Sequence, residues 1–340
     1  MIIDVNKHYL IAEIGHNHQG KLETALKLIK EAKTSGANAV KFQKRDNKSL
    51  YVKSFYNQFY DNPHSFGRTY GEHREALEFN RAEYKELQSY AKEIGIDFFA
   101  TPFDLKSFEF LEDLNVPGYK IASADLLNFP LQNAIAKSNK IIFLSTGGAT
   151  LDDVKKAVDN IFKYNQKLIL LHCTASYPAR IEDMNLNVIL TYKNEFPKLI
   201  IGLSDHENGI DAATTAYMLG ARVFEKHFTL DRSLKGSDHG FSLEPQGLSK
   251  LARNLNRINT LLGSSEKRIL DSEKKSLHKM LKSIVASEDL KLGTKIEYKN
   301  MAFKSPGGGL SPHFFEDIIG KKIKKNLKED DLILFEDLED

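Results

Sequence analysis

Two lysines stand inside apolar runs of this sequence, Lys41 in AVKFQ at 39–43 and Lys120 in GYKIA at 118–122. A buried charge is costly unless it is paired, so a lysine in such a run calls for an anion. Other polar residues fall two apart at the ends of similar runs: Lys41 and Gln43, His172 and Thr174, Ser204 and His206, Glu225 and His227. Glu13 ends a further run, and Ser123 follows the one that carries Lys120. Residues two apart on a strand share a side, so each pair is expected on one face. Lys41, Thr101, Lys120 and Ser123 could surround a phosphate or carboxylate. His206 and His227 either offer neutral imidazole nitrogens to a divalent metal with open positions left for substrate, or are hydrogen-bonded core histidines. Glu13, Asp125, Glu225 and Asp238 suit proton transfer or the binding of sugar hydroxyls. The run TGGAT at 146–150 is either an amide cradle for an anion or an ordinary strand-to-helix turn. Cys173 alternates with His172 and Thr174, so it is expected to point outward as a packed thiol.

These residues need a frame that brings strand ends together. Short apolar β-branched runs at 9–14, 39–43, 97–101, 118–122, 140–145, 167–173, 199–204 and 222–227 have strand length and are apolar almost throughout, as parallel strands covered on both faces are. Amphipathic stretches lie between them. Residues 22–34 repeat apolar positions at helical spacing, 151–162 follow Thr150 as N-cap with Asp153 three residues on, and 246–262 repeat leucine and isoleucine along one face. Eight strand-then-helix units predict a (β/α)8 TIM barrel, whose active sites form at the C-terminal mouth. A doubly wound sheet is the alternative, but the first turn, GHNHQG at 15–20, lacks the expected glycine spacing. Residues 44–80, rich in Tyr, Phe, Asn and His, form an unusually long connection, expected to be functional or to carry small elements of its own.

Composition narrows the class. A chain of 340 residues suggests about two domains. A single cysteine, Cys173, excludes a disulfide scaffold or a multi-cysteine metal site. A net charge of +2 argues against a dedicated nucleic-acid binder, and KKIKK at 321–325 reads as a solvated face. No apolar run approaches the roughly 18 residues of a membrane span, and the opening residues lack a signal-peptide layout, so a cytoplasmic protein is expected. The domains are expected at 1–263 for the barrel, 264–282 for a charged linker or solvated helix, and 283–340 for a small β-rich unit. That unit has predicted strands at 284–286 and 332–335, and a flexible run at 306–309.

Seven stretches, in order, resemble the sialic acid synthase family, the phosphoenolpyruvate-dependent nonulosonic acid synthases: IAEIGHNHQG at 11–20, VKFQ at 40–43, YKIAS at 119–123, LHCT at 171–174, GLSDH at 202–206, FEKHFTLD at 224–231 and GSDH at 236–239. Residues 283–340 resemble the antifreeze-like (SAF) domain that follows the barrel in that family. GRTYGEH at 67–73 with LEF at 77–79 is similar to the animal members. The resemblance implies condensation of phosphoenolpyruvate with the open-chain aldehyde of an N-acylmannosamine-type amino sugar, N-acetylmannosamine or its 6-phosphate. It implies Mn2+ or Mg2+ on His206 and His227. It implies that Lys41, Thr101, Lys120, Ser123 and Ser204 hold phosphoenolpyruvate. Glu13, Gln43, Tyr177 and Asp238 match positions near the sugar and the water, Glu225 matches an acid beside the metal, and Thr174 joins the substrate-binding set. Glu13 ranks first for proton transfer. The family's small domain caps the mouth of a second subunit, which implies a domain-swapped homodimer.

The sequence departs from the family pattern on the sugar side. Ala175 stands where many bacterial members carry Asn or Ser, Asp125 where Glu is common, and Ser305 where bacterial members often place an Arg that reaches the partner's sugar site. Alternatives are therefore a legionaminic or pseudaminic acid synthase acting on a dideoxy diacetamido hexose, another metal-dependent barrel aldolase, or a non-catalytic sugar-binding or ice-surface protein. The 283–340 domain weighs against the aldolase, and the full set of polar strand ends against the binding protein.

Overall fold

The computed structural model describes residues 3–4 and 6–340. Eight parallel strands close into a barrel: β1 (Tyr9–Gly15), β2 (Ala39–Lys44), β3 (Asp97–Pro102), β4 (Gly118–Ile121), β5 (Ile141–Ser145), β6 (Leu168–Cys173), β7 (Ile200–Asp205) and β8 (Val223–His227). Pairing of β8 with β1, Val223 with Tyr9 through His227 with Glu13, completes the closure. The doubly wound alternative is thereby excluded.

Alternation sorts each strand into two layers. Tyr9, Ile11, Ala39, Phe99, Phe143, Ile169, Leu171 and Val223 fill the barrel interior. The intervening residues, such as Leu10, Val40, Tyr119, Leu144 and Phe224, pack outward against the helices in a second, larger core. The interior is a packed plug, so the polar residues one or two positions further along each strand are lifted to its C-terminal rim. Gly202 lies in the interior line of β7, where a Cβ would collide with the Val223 carbonyl oxygen and stand 2.5 Å from Leu171 Cδ2. Only glycine fits that close approach.

The helices form where the spacing predicts. Leu22–Thr34 buries Ala25, Leu28, Ile29 and Ala32. Leu151–Phe162 begins with a reciprocal capping box between Thr150 and Asp153 and buries Val154, Ala157, Val158 and Ile161. Pro245–Leu262 buries Leu248, Leu251, Leu255 and Ile258. The long connection after β2 carries three short helices, Asn47–Leu50, Lys53–Tyr56 and Tyr70–Glu75, before Arg81–Glu93.

The chain divides into two compact units, one ending at Leu261 and the other spanning Leu262–Asp340. The second unit has its own core of Ile284, Ala286, Leu290, Ile296, Met301, Ile318, Ile323, Leu327, Ile333 and Leu338. Two two-stranded antiparallel sheets frame it, Ser283–Ala286 with Met301–Lys304 and Lys322–Ile323 with Leu338–Glu339. The strand expected at 332–335 is not a continuous strand: Leu332 makes a single bridge to Val285, and Phe335–Asp337 turns into a 3-10 helix. The charged stretch at 264–282 holds one helix, Asp271–Met280, with no buried residue. Among the described residues no helix is long and apolar enough to cross a membrane.

Candidate active site

The C-terminal ends of the strands enclose a cavity of about 240 Å³, and its lining includes Glu13, Lys41, Gln43, Thr101, Lys120, Ser123, Tyr177, Ser204, His206, Glu225 and His227. A larger depression of about 790 Å³ lies at the opposite end of the barrel, lined by Asp97 and Pro117 among others, and holds none of these groups.

Charge is concentrated at the base of the mouth. Lys41 Nζ lies 2.7 Å from Glu13 Oε2 and 3.5 Å from Glu225 Oε1, and donates to Thr101 Oγ1 at 3.1 Å. Lys120 Nζ lies 3.9 Å from Glu225 Oε1, which also accepts from Ser204 Oγ at 3.3 Å. All four charged groups are almost wholly buried. Taking such ions from water is costly, and their mutual attraction offsets that cost. Burial pushes Lys120 below its ordinary value, whereas Glu13 and Glu225 overcome burial at Lys41 and hold it protonated. Burial alone would raise Glu225, but Lys120 and Lys41 outweigh it and keep that carboxyl low. Glu13 goes the other way: burial, with the Glu225 charge added, lifts it to about 6 against the pull of Lys41. The cluster therefore pairs one carboxyl held below its ordinary value with one lifted to about 6.

Two imidazoles face each other on the far wall. The His206 and His227 rings are 5.3 Å apart, Tyr177 packs 4.1 Å from His206, and Phe241 packs 4.9 Å from His227. His206 Nδ1 donates to the Thr174 carbonyl at 2.9 Å, so in the neutral ring the acceptor nitrogen is Nε2. Burial lowers this imidazole, but Cys173 and the Thr174 carbonyl outweigh it and raise it. Burial, reinforced by the cations around it, holds His227 well below its ordinary value and therefore neutral. Its Nδ1 is buried without a hydrogen-bond partner, with Asp238 Oδ2 at 3.7 Å. Among the described residues no three His, Cys, Asp or Glu side chains converge as a metal cage. The chemistry here is that of a two-histidine donor set, with Nε2 of His206 turned from its backbone partner and an orphaned nitrogen on His227. That set fits a divalent ion whose other positions are open to water and substrate.

Not every expected residue reaches the cavity. Asp238 borders it through His227. Asp125 lies off its lining, where Asn128 Nδ2 donates to Asp125 Oδ1 at 2.9 Å. The expected facing of β6 is reversed. Ile169 and Leu171 fill the interior, so Cys173 points inward and lines the cavity, its Sγ 3.9 Å from His206 Nδ1. His172 points outward to the Met184 carbonyl, 2.7 Å from Nε2, and Thr174 donates to the Asp183 carbonyl at 3.1 Å. A carbonyl beyond the strand satisfies the imidazole outside the barrel, so its polarity does not report its side.

Sequence reasoning passed over Ser145 and Arg45. Ser145 lines the cavity with a buried, unpartnered hydroxyl, and the inward parity of Ile141 and Phe143 would have pointed to it. Arg45 lies two residues beyond Gln43. In the 146–150 turn, the Gly147 amide donates to Ser123 Oγ at 2.9 Å and Thr150 caps a helix. That turn orients Ser123.

With this geometry in view, residues 28–267 match the NeuB family and residues 282–339 match the SAF domain. The chain belongs to the NeuB family. Within that family it is 40% identical over 332 residues to N-acetylneuraminate-9-phosphate synthase of Mus musculus, covering 97% of this chain and 92% of that protein. It is 39% identical over 337 residues to N,N'-diacetyllegionaminic acid synthase of Campylobacter jejuni, covering 97% and 99%. The crystal structure of an N-acetylneuraminic acid synthetase from Leptospira borgpetersenii superposes with a TM-score of 0.70 at 36% identity, covering 82% of this chain and 93% of that one.

Proposed function

We propose that the protein condenses phosphoenolpyruvate with the open-chain aldehyde of an N-acylmannosamine-type sugar, N-acetylmannosamine or its 6-phosphate. The products are N-acetylneuraminate or its 9-phosphate and inorganic phosphate. The observation that carries this reading is the meeting of two buried lysines, two buried glutamates and two facing histidines in one cavity. An anionic donor and a carbonyl acceptor need these two kinds of wall, and holding both reactants together removes several kcal/mol of barrier.

Lys41, Lys120, Thr101, Ser123 and Ser204 bind the phosphate and carboxylate of phosphoenolpyruvate. Its C3 forms the new bond to the aldehyde carbon with the electron pair of its C2–C3 double bond, and the aldehyde oxygen takes a proton from solvent. Positive charge then develops at C2, close to the Glu225 carboxylate. Water adds at C2 and gives a proton to Glu13. The tetrahedral centre collapses to the ketone as its bond to the phosphate oxygen breaks; the C2 hydroxyl proton leaves with the phosphate, and Glu13 returns its proton to solvent. His206 and His227 would hold Mn2+ or Mg2+, which supplies Lewis-acid polarisation of the aldehyde oxygen. Gln43 fixes Glu13 by donating from Nε2 to Oε1 at 2.6 Å, while Tyr177 and Asp238 serve the sugar side; Asp125 and Thr174, turned away from the cavity, take no part.

The same proposal puts the barrel at 1–263, a tether at 264–282 and a small domain at 283–340 that covers the mouth of a second copy in a homodimer. A cytoplasmic location belongs to the same proposal. The likeness to the legionaminic acid synthase supports a second reading, in which the acceptor is a dideoxy diacetamido hexose. Purified protein with Mn2+, phosphoenolpyruvate and a panel of acceptors, scored by phosphate release and product mass, tests both. We expect phosphate release only with an N-acyl hexosamine. Release with none of them would overturn the proposal.

A further inference from the structure

Beside the mouth, two guanidiniums converge on one imidazole. Arg45 Nη1 is 2.8 Å from His16 Nε2, and Arg74 Nη1 is 3.3 Å from His16 Nδ1. Arg45 is buried, and its other end donates to Gln43 Oε1 at 2.7 Å while its plane lies 3.8 Å over the Phe103 ring. Gln43 and Phe103 both line the cavity, so this cluster adjoins it. Arg74 is half-buried and donates to the Tyr70 hydroxyl at 2.7 Å. Among the described residues no carboxylate stands within ion-pair distance of either guanidinium. Glu78 takes the backbone N–H of Arg45 and is tied to Lys44 at 2.7 Å. Asp238 adds only its more distant charge to Arg74.

The donor count does not balance. His16, enclosed by two cations, is held well below its ordinary value by burial, by Arg45 and by Arg74, and is neutral. A neutral imidazole has one acceptor nitrogen and one N–H, and arginine cannot accept. One of the two Arg–His contacts is therefore donor against donor. The shorter contact takes the lone pair, so His16 Nδ1–H faces an N–H of Arg74. Among the described residues no oxygen accepts from both, and neither guanidinium is paired directly with a carboxylate, Glu78 and Asp238 reaching them only by longer-range charge. A phosphate dianion, with several acceptor oxygens, meets both needs.

We infer that Arg45, Arg74 and His16 form a subsite for a phosphate monoester carried at the far end of the sugar acceptor. The donor's phosphate and carboxylate are already provided for at the base of the cavity by Lys41 and Lys120. The subsite thus selects a phosphorylated over an unphosphorylated acceptor, an inference that rests on the reading of the mouth as a synthase site.

The test compares N-acetylmannosamine 6-phosphate with N-acetylmannosamine, using intact wild-type protein and the Arg74→Gln and Arg74→Lys variants with Mn2+ and phosphoenolpyruvate. The wild type should prefer the phosphorylated acceptor at least 10-fold in kcat/KM. Arg74→Gln should cut that preference about 10- to 100-fold, the range for loss of one charge-assisted partner, and Arg74→Lys should retain part of it. No preference in the wild type, or an undiminished one in Arg74→Gln, overturns the inference while leaving the proposed reaction standing. Absence of turnover with either acceptor overturns the reaction instead. Calorimetric titration with phosphoenolpyruvate saturating then decides the subsite: tighter binding of the phosphorylated sugar, abolished in Arg74→Gln, upholds it, and equal binding overturns it. Inorganic phosphate that binds as tightly as the sugar phosphate, and is lost equally in Arg74→Gln, would make this a seat for released phosphate and overturn the acceptor assignment.

Discussion

Glu13 is pulled in opposite directions by its surroundings. Burial and the Glu225 charge favour its neutral form, and Lys41 favours its carboxylate, with a balance at about 6. If the carboxylate takes the proton of the adding water, its active fraction falls as pH drops through that value. The acid side of a kcat/KM profile should therefore bend near pH 6, since that parameter reports the free enzyme. Glu13→Gln should remove the bend and lower kcat about 10²- to 10⁴-fold, the usual worth of a positioned acid–base group. A bend unchanged in the variant would assign the titration elsewhere. The same reasoning applies to His227, whose buried Nδ1 has no hydrogen-bond partner. His227→Ala should lose bound Mn2+ and activity together while its circular dichroism stays that of the wild type. Normal activity with no retained metal would remove the histidine pair from the mechanism.

At the scale of elements, what decides the site is which side of a strand faces the axis, and the sequence shows this unevenly. On β2, β7 and β8 the inward line reads Lys41–Gln43, Ser204–His206 and Glu225–His227, so the polar residues disclose their own face. On β6 the inward line is Ile169, Leu171 and Cys173, all of them apolar in character. The polar His172 finds a carbonyl outside, and polarity misleads. Arg45 was hidden for another reason: its partners His16 and Arg74 come from separate connections that only folding brings together. Two glycines give tests at this scale. A Cβ at Gly147 would stand 2.9 Å from Ser123 Oγ and 2.8 Å from Ala175 Cβ. Gly147→Ala should displace Ser123 and raise the KM for phosphoenolpyruvate more than it lowers kcat, as steady-state kinetics would show. Gly202→Ala forces a methyl group into the closed interior of β7. It should destabilise the barrel by about 1–3 kcal/mol, the usual cost of overpacking, measured as a lower urea midpoint with an unchanged slope.

For the whole molecule, the organising fact is that the two cores share no residue. The outer barrel core runs from Leu10 to Ile258, and the second core from Ile284 to Leu338. Each unit buries its own apolar surface, so folding of the barrel does not depend on the contacts that hold the small domain together. A chain ending at Gly263 should therefore unfold in a single cooperative transition and keep the far-ultraviolet signature of a (β/α)8 barrel. Its donor site should also survive, because Lys41, Lys120, Thr101, Ser123 and Ser204 all come from the barrel. The acceptor differs if the small domain of one copy covers the mouth of another. Removing that cover admits water and loosens the sugar, so the KM for the acceptor should rise about 10-fold or more while phosphoenolpyruvate affinity stays within about twofold, a separation expected when the lost contacts touch one substrate alone. A mixing experiment sharpens the point. Full-length chains carrying Glu13→Gln, added to barrels ending at Gly263, supply intact small domains without active mouths. Recovery of acceptor affinity in the mixture would show cover in trans, and no recovery, with the dimer verified by sedimentation, would confine the small domain to its own chain.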